Sequence, residues 1–388
     1  MWKPDHATGA KWIDMFPKKP DREATPKETP IRNIYDYQRE AAEQRCQHDR
    51  AHALWKEFTT IVILNEQVHA AGDLRLQRLL TRVRQGIQGH CDMDLLNSTC
   101  YQEGRRIPWQ SGITVVTLLK KNRWNLNIEA ALSFQGQHKV LLRIFISEHK
   151  WTDDEQTEDE PLIVLSQGDD SATPVPAIFM FVPGMPIAVS QNAYQGLKLV
   201  NGASYTALDV FPNKAHPGHR INADTVLRLG RPAGIVLASK TTRDFRFVGM
   251  PASTALLTPI STKIECQRKR PWQKSDLSQR GLPYAAAFAC TDYKVQSKSL
   301  DRVALELRGT RTTNIDGEAV PAQCDPYSLY VQLSRCRSLD GIMLLSKARD
   351  RDFVGNRVPD TMVAAEERLE KLSEAMIQDA ETRDWTEE

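Results

Sequence analysis

The sequence predicts an α/β protein: a parallel sheet covered by helices, interrupted by an all-β stretch. Three observations predict it. Residues 283–346 alternate strand-like and helix-like segments in the order strand, helix, strand, helix, strand, which implies parallel strands joined by helical crossovers. Residues 94–118 already show the same helix-then-strand step. Residues 203–280, by contrast, hold short alternating runs and Pro and Gly turns but no long helical period.

Within 283–346, the run from Tyr284 to Cys290 is apolar, too short for a helix and long enough for a buried strand. Thr291 and Asp292 follow as candidate caps for a helix over 294–300. In 302–307, Val303, Leu305 and Leu307 alternate with Ala304 and Glu306, as in a strand with two distinct faces. A polar loop follows. Asp325 and Pro326 then open a helix over 327–337, and 341–345 is another buried apolar run. Thr291, Lys294, Gln296 and Ser299 are expected where a loop leaves a strand, the usual ligand edge of an open α/β sheet. A helix N-terminus there would offer N–H groups to a phosphate. Arg335 and Arg337 are expected late in the next helix, where a planar guanidinium can grip a phosphate bidentately. The competing reading makes all of these ordinary caps and surface charges.

Taken from its start, the chain opens with a Pro-, Lys-, Glu- and Thr-rich segment, 17–30, expected to be a linker, and a polar helix over 33–58. Trp2, Trp12 and Phe16 precede that linker and hint at a missing partner surface. TTIVIL, residues 59–64, is β-branched and reads as a strand. Leu74, Leu76, Leu79, Leu80 and Val83 form a helical stripe with Asp73 at its start and Gly86 at its end. In NRWNLNIEAAL (122–132), Asn122 reads as a cap and Asn127 as a packing residue. Residues 141–146 read as a strand, and the acidic run in 151–161 as a solvated loop. Pro183-Gly184 is a turn between two strands. Lys263, Arg268, Lys269, Arg270 and Lys274 surround Trp272, a strip that could follow a phosphate backbone and stack a base, or simply keep a loop soluble. Beyond Ser346 the chain is polar, and Met362, Leu369, Leu372, Met376 and Ile377 make a modest helical stripe.

Hydrophobic residues at 41% and charged residues at 26% are enough for a packed core, which excludes a disordered chain. A net charge of +2 gives no overall attraction to nucleic acid, so any such binding rests on a local groove. The 7 cysteines include no C-x-x-C pair, and Cys46, His48 and His52 lack zinc partners downstream, so no metal site is expected and the thiols are expected free. There is no signal-peptide pattern after Met1, and the longest apolar stretch, 177–189, is broken by Pro183, Gly184 and Pro186, so no membrane association is expected.

TDYKVQSKSL resembles T-x-H-K-x-Q-G-x-T, and YVQLSR resembles Y-V-A-L-S-R. These are motifs V and VI of superfamily-one DNA helicases, with the closest similarity to the PIF family and its fungal PIF-like members. NEQVHAAGD resembles the family's motif IV segment, with His69 where the family has Arg. AIFMFVPGMPIAVSQNAYQGLKLVN resembles its P-G-M-P-V-x-L-x-x-N…G-L-x-N-G passage, with Asn192 and Asn201 at the matching positions. The resemblance covers about residues 54–346. It implies a second RecA-like helicase lobe with a small inserted β-barrel, divided as 1–53 remnant and linker, 54–202 first part of the lobe, 203–282 barrel, 283–348 motifs V and VI, and 349–388 tail. It implies ATP hydrolysis coupled to 5′–3′ unwinding, with Arg335 as arginine finger and Gln67, His69 and Arg337 at the nucleotide cleft. Thr291, Lys294, Gln296, Ser299, Asn192 and Asn201 would contact or couple to single-stranded or duplex DNA. ATP and Mg²⁺ are the implied cofactors, the nucleus the implied location with the mitochondrion as the family's other site, and repair, recombination and telomere maintenance the implied processes. The chain departs from the pattern at Tyr293 for His and Ser297 for Gly. No G-x-x-x-x-G-K-[ST] loop occurs, nor any Gly-Lys pair, so the phosphate-binding loop is absent from this sequence and the chain alone is expected to be inactive. The expectations left open are a lobe completed by a first lobe in trans or in a longer product, and a degenerate remnant that binds DNA or protein.

Overall fold

Val303 and Leu305 face one side of a sheet and Ala304 the other, because successive side chains of a strand alternate. The computed structural model that shows this describes residues 34–63, 70–118, 120–151, 159–165, 174–265, 276–296, 298–315 and 318–382. Its helices are α1 (Ile34–Glu57), α2 (Leu74–Arg84), α3 (His90–Cys100), α4 (Lys120–His138), α5 (Asp159–Leu165), α6 (Asp292–Val295), α7 (Pro326–Leu333) and α8 (Asp360–Thr382). Its first strands are β1 (Thr114–Thr117), β2 (Leu142–Ile146), β3 (Glu148–Trp151), β4 (Ile178–Phe181), β5 (Pro186–Val189), β6 (Ser204–Phe211), β7 (Gly218–Asn222), β8 (Thr225–Arg228) and β9 (Gly234–Ala238). The remainder are β10 (Thr254–Leu257), β11 (Ile260–Glu265), β12 (Asp276–Gly281), β13 (Tyr284–Ala286), β14 (Ala289–Cys290), β15 (Val303–Glu306), β16 (Arg308–Ile315), β17 (Glu318–Gln323) and β18 (Ile342–Leu344).

The fold is α/β with a parallel sheet flanked by helices. Strands β14, β1, β15 and β18 lie in that order and are all parallel. Val116, Val303, Leu305, Ile342 and Leu344 pack on one face against Leu76, Leu79, Leu80 and Val83 of α2, Leu96 of α3, and Leu329 and Leu333 of α7. Val115, Ala289, Ala304 and Met343 cover the other face, with Leu126 of α4 against them. The caps fall where the sequence puts them. Asp73 accepts from the N–H groups of Arg75 and Leu76, and Asp325 from those of Tyr327 and Ser328, with Pro326 in the first turn of α7. Gly86 ends α2 at φ 68°, in the left-handed region that a Cβ disfavours.

The remainder of this unit is antiparallel apart from one parallel pair, β2 with β8. One five-stranded sheet runs β10-β9-β6-β5-β13, a four-stranded sheet runs β4-β2-β8-β7, and a three-stranded sheet runs β11-β12-β3. Leu142, Phe145, Phe179 and Phe181 of the four-stranded sheet and Ile187, Val189, Tyr205, Ile235, Leu237, Ala255, Leu257 and Tyr284 of the five-stranded sheet share one buried core. Phe145 stacks on Phe179, which meets Tyr284 edge-on at 5.5 Å. The all-β stretch 203–282 is therefore present, with its strands spread over three sheets that also recruit β2–β5 and β13. Gly184, at φ 86°, turns the chain between β4 and β5, as expected, but the two strands enter different sheets.

Several expectations are corrected. The run from Tyr284 to Cys290 is two strands, not one: β13 pairs antiparallel with β5, and β14 parallel with β1. Residues 59–63 form no strand, since β-branched residues favour extended backbone but cannot supply a neighbour to pair with; Leu64 lies outside the described residues. Asn122 sits inside α4 and does not cap it. The polar loop after Leu307 is a hairpin, β16–β17. Trp2, Trp12, Phe16 and most of the acidic run lie outside the described residues. A second unit holds α1 and α8, where Arg368 Nη2 of α8 donates to the carbonyls of Lys56 and Phe58 at 2.8 and 3.2 Å. Among the described residues no helix is long and apolar enough to cross a membrane.

Candidate functional site

The segments that carry motif-like residues meet beside the sheet. β14 delivers Thr291 at its carboxyl end, α6 follows, and residues 298–302 lead into β15. α7 ends at Leu333, and 335–341 lead into β18. Because β15 and β18 are parallel neighbours, these two entering connections lie side by side. Leu300 N donates to Arg335 O at 2.8 Å, and Leu300 bridges Cys336. Cys336 Sγ in turn donates to Asp301 O at 3.5 Å.

Arg335 is half-buried in this seam. Its Nε donates to Val331 O at 2.9 Å, Nη1 to Lys298 O at 3.4 Å and Nη2 to Ser334 Oγ at 2.7 Å. All three acceptors are neutral. Burial pulls its pKa below the usual guanidinium value, with Tyr330 opposing, yet a guanidinium stays protonated in any folded protein. The site therefore holds a partly desolvated cation with no carboxylate paired to it among the described residues. Nearby polarity is also incompletely matched: Gln332 is fully buried and its Oε1 has no hydrogen-bond partner, while Nε2 donates to Ser328 Oγ at 3.1 Å. Asp292 is buried too, and its Oδ1 lacks a hydrogen-bond partner.

The structure places the other expected residues as follows. Arg335 and Arg337 lie past the end of α7, not late in it, because the helix stops four residues earlier than its apolar pattern allows. Arg337 is exposed and paired with Asp301 at 3.4 Å, so its charge is answered. α6 is four residues long and starts at Asp292, and Thr291 makes no side-chain cap; one turn sums too few peptide dipoles to act as an anion site. Lys294 is half-buried, Gln296 and Ser299 are exposed, and Tyr293 is 77% exposed. Asn192 and Asn201 are brought together: Asn201 N donates to Asn192 Oδ1 at 2.9 Å, closing the loop that carries both. Gln67, His69 and Ser297 lie outside the described residues, as do Arg268, Lys269, Arg270, Trp272 and Lys274.

Two residues escaped the sequence reading. Lys298, between the expected Gln296 and Ser299, donates from Nζ to Ser204 Oγ of β6 at 2.6 Å, joining this seam to the five-stranded sheet. Asn127, read as packing, donates from Nδ2 to Ala289 O at 3.0 Å and accepts from Ala289 N at 2.8 Å, so it occupies the outer edge of β14 and fixes the strand that launches Thr291. Nothing in the local sequence signals either contact, since both partners are remote.

No protein-family model and no curated protein matches this chain. Its fold is similar to solved Pif1 helicases. The Candida albicans enzyme is 14% identical with a TM-score of 0.49, over 78% of this chain and 59% of that one. A Bacteroides Pif1 helicase solved in complex with ADP-AlF3 and ssDNA is 15% identical with a TM-score of 0.48, over 77% and 54%. A structure of two Pif1 helicases coordinating at forked dsDNA gives 16% and 0.45, over 77% and 52%. The chain thus spans a little over half the length of these proteins.

Arg335 fits a phosphate. An ionised phosphate oxygen attracts the guanidinium more strongly than a neutral carbonyl does, and the 3.4 Å bond to Lys298 O is the longest of the three, so phosphate would displace it. Among the described residues no three His, Cys, Asp or Glu side chains are grouped to hold a metal.

Proposed function

We propose that the chain is the C-terminal motor lobe of a PIF-like ATP-dependent DNA helicase, in which ATP hydrolysis drives 5′–3′ unwinding. One observation carries this reading: among the described residues the half-buried Arg335 guanidinium meets neutral acceptors and no carboxylate, beside the connection that follows the motif V-like segment. ATP supplies the transferable phosphoryl group. Arg335 would exchange Lys298 O for an oxygen of that group and stabilise the charge spread over it during transfer, a contribution on the order of 10³-fold or more in rate. Thr291, Lys294, Gln296 and Ser299 would couple that contact to the DNA strand, with Asn192 and Asn201 on a neighbouring DNA-facing loop.

Topology supports a divided site. Thr291 leaves the carboxyl end of β14, whereas Arg335 lies where the chain enters β15 and β18, at the amino edge of the same sheet. Four-residue strands separate those edges by about 13 Å. A nucleotide seated on this sheet's own carboxyl edge would be beyond Arg335, which favours a reading in which a separate domain with a Gly-Lys loop carries the nucleotide and its Mg²⁺. In this reading Arg335 closes on a ligand that something else grips.

A second reading, a non-catalytic remnant that binds DNA or a protein, is favoured by one fact: each guanidinium nitrogen of Arg335 already has an acceptor within the chain. A complementation assay separates the two. Purified chain with single-stranded DNA is expected to hydrolyse no ATP. Addition of a PIF-like first lobe in trans is expected to restore hydrolysis, and Arg335→Ala to reduce it at least 100-fold with DNA affinity unchanged. Hydrolysis by the chain alone would overturn both readings; none with the added lobe leaves the remnant.

A further inference from the structure

The connection between β9 and β10, residues 239–253, presents the most exposed large apolar side chain among the described residues. Val248 is fully exposed, beside Phe247 at 40% exposure. An exposed pair on a slack loop would be ordinary, but this loop is pinned. Thr242 is buried, accepts from Ser239 N at 3.0 Å, and has its Oγ1 2.7 Å from Ser253 O. Ser253 N donates to Phe245 O at 2.9 Å, and Ser253 Oγ to Arg243 O at 2.8 Å. Arg246 Nη1 folds back onto the carbonyls of Arg243 and Phe245, each at 2.8 Å. Phe245 packs on the β core and meets Phe247 edge-on at 5.7 Å. Met250 N donates to Phe247 O at 3.2 Å, and Gly249 takes φ 76°, so the tip is a formed turn. Much of the ordering cost of binding at such a tip is met before a partner arrives.

The charges say what kind of partner fits. Lys240, Arg243 and Arg246 are exposed around the tip, against a single carboxylate, Asp244. An aromatic edge flanked by cations suits a polyanion with flat, unstacked faces, not an apolar protein surface. The loop is also tied to the site above. Strand β6, which pairs with the β9 leading into the loop, carries Ser204, whose Oγ accepts from Lys298 Nζ.

We propose that Phe247 and Val248 form a contact for single-stranded nucleic acid, with a base stacked on Phe247 and flanking phosphates on Arg243 and Lys240. This rests on the reading of the chain as a DNA-engaging lobe. The test uses the whole 388-residue chain and a labelled oligo(dT), followed by fluorescence anisotropy across a salt series. A parallel arm uses 5-iodouracil cross-linking with peptide mapping. Phe247→Ala with Val248→Ser is expected to weaken binding at least fivefold, with a melting temperature lowered by no more than the loss of one edge-on ring contact, since neither side chain lies in the buried core. Arg243→Ala is expected to lower the salt dependence by about one counterion, and the cross-link to fall on Phe247. If the wild-type chain binds oligo(dT) but the double variant binds equally and cross-links fall elsewhere, the loop assignment is wrong and the helicase reading survives. If the wild-type chain binds no oligo(dT), the helicase reading falls and takes this contact with it. If the double variant instead abolishes self-association in sedimentation, the tip is a protein contact and the assignment is overturned.

Discussion

The parallel and antiparallel parts of the large unit are held together by different means. In the antiparallel part, many polar side chains act locally, Asn192 on Asn201, Asn213 on Ala215, Asn222 on Asp224 and Thr242 on Ser239, and a few reach farther, as Gln279 does to Val175 O and Tyr284 to Met180 O. Longer backbone ladders than those of the parallel sheet share the work of joining this part, as between β6 and β9 or β11 and β12. In the parallel part the strands are two to four residues long, too short for their ladders to suffice. There, side-chain amides and carboxylates clamp backbone 162 to 268 residues away: Asn127 on Ala289, Asn97 on Ala348, Gln88 on Phe353 and Asn356, and Asp73 on Leu339. The lesson is that a short parallel sheet needs sequence-distant clamps, and that the candidate site sits in the part that depends on them.

That contrast can be broken most decisively at Asn127. Asn127→Ala orphans the buried N–H and C=O of Ala289 at once, and unsatisfied buried groups cost about 1–3 kcal/mol each. A loss of about 2–5 kcal/mol is expected by urea unfolding. A loss below about 1 kcal/mol would show that the clamps are incidental.

The ionic clamps of the same part come next. Burial would raise the pKa of Asp92, but two-pronged bonding from Arg82 and the Gly89 N–H outweigh it and hold the carboxyl below its usual range. For Asp73, burial is likewise outweighed by the N–H groups of Leu339, Leu76 and Arg75. A carboxylate depressed in the folded state stabilises fully above its unfolded value, near 3.9, and loses that contribution as pH falls through the folded value. Stability is therefore expected to drop between about pH 4 and the depressed values. Asp92→Asn is expected to cost about 1–2 kcal/mol at pH 7 and to flatten the acid limb, as read from urea midpoints at pH 7 and pH 3.

The smallest effect is expected in the antiparallel part. Asn192→Ala removes one exposed, local hydrogen bond, and about 0.5 kcal/mol or less should be lost. A loss as large as that of Asn127→Ala would erase the distinction between the two regions.

Much of the architecture was legible because it is written locally. Asp73 and Asp325 announce their helices within three residues, and the alternation of Val303, Ala304 and Leu305 assigns two faces without knowledge of what covers them. The hairpin of β16 and β17 was missed because Thr312, Thr313 and Asn314 are all exposed, leaving no apolar alternation to read. The strand expected at 59–64 failed for the complementary reason: extended propensity was visible, a pairing partner was not.

For the candidate site the division is sharper. The residue types were evident in the chain, Arg335 among them, since a motif is a matter of spacing. Its setting was not. Whether Arg335 ends up inside a helix or in the seam beside Lys298, with neutral or acidic neighbours, depends on which strand lies next to which. So does the grip of Asn127 on β14. Sequence by itself determined the periodicities, caps and turns, because those interactions span a few residues. Only the tertiary structure decided the clamps, the edge of the sheet on which Arg335 lies and the neutral acceptors around it, because each joins groups that the chain keeps far apart until it folds.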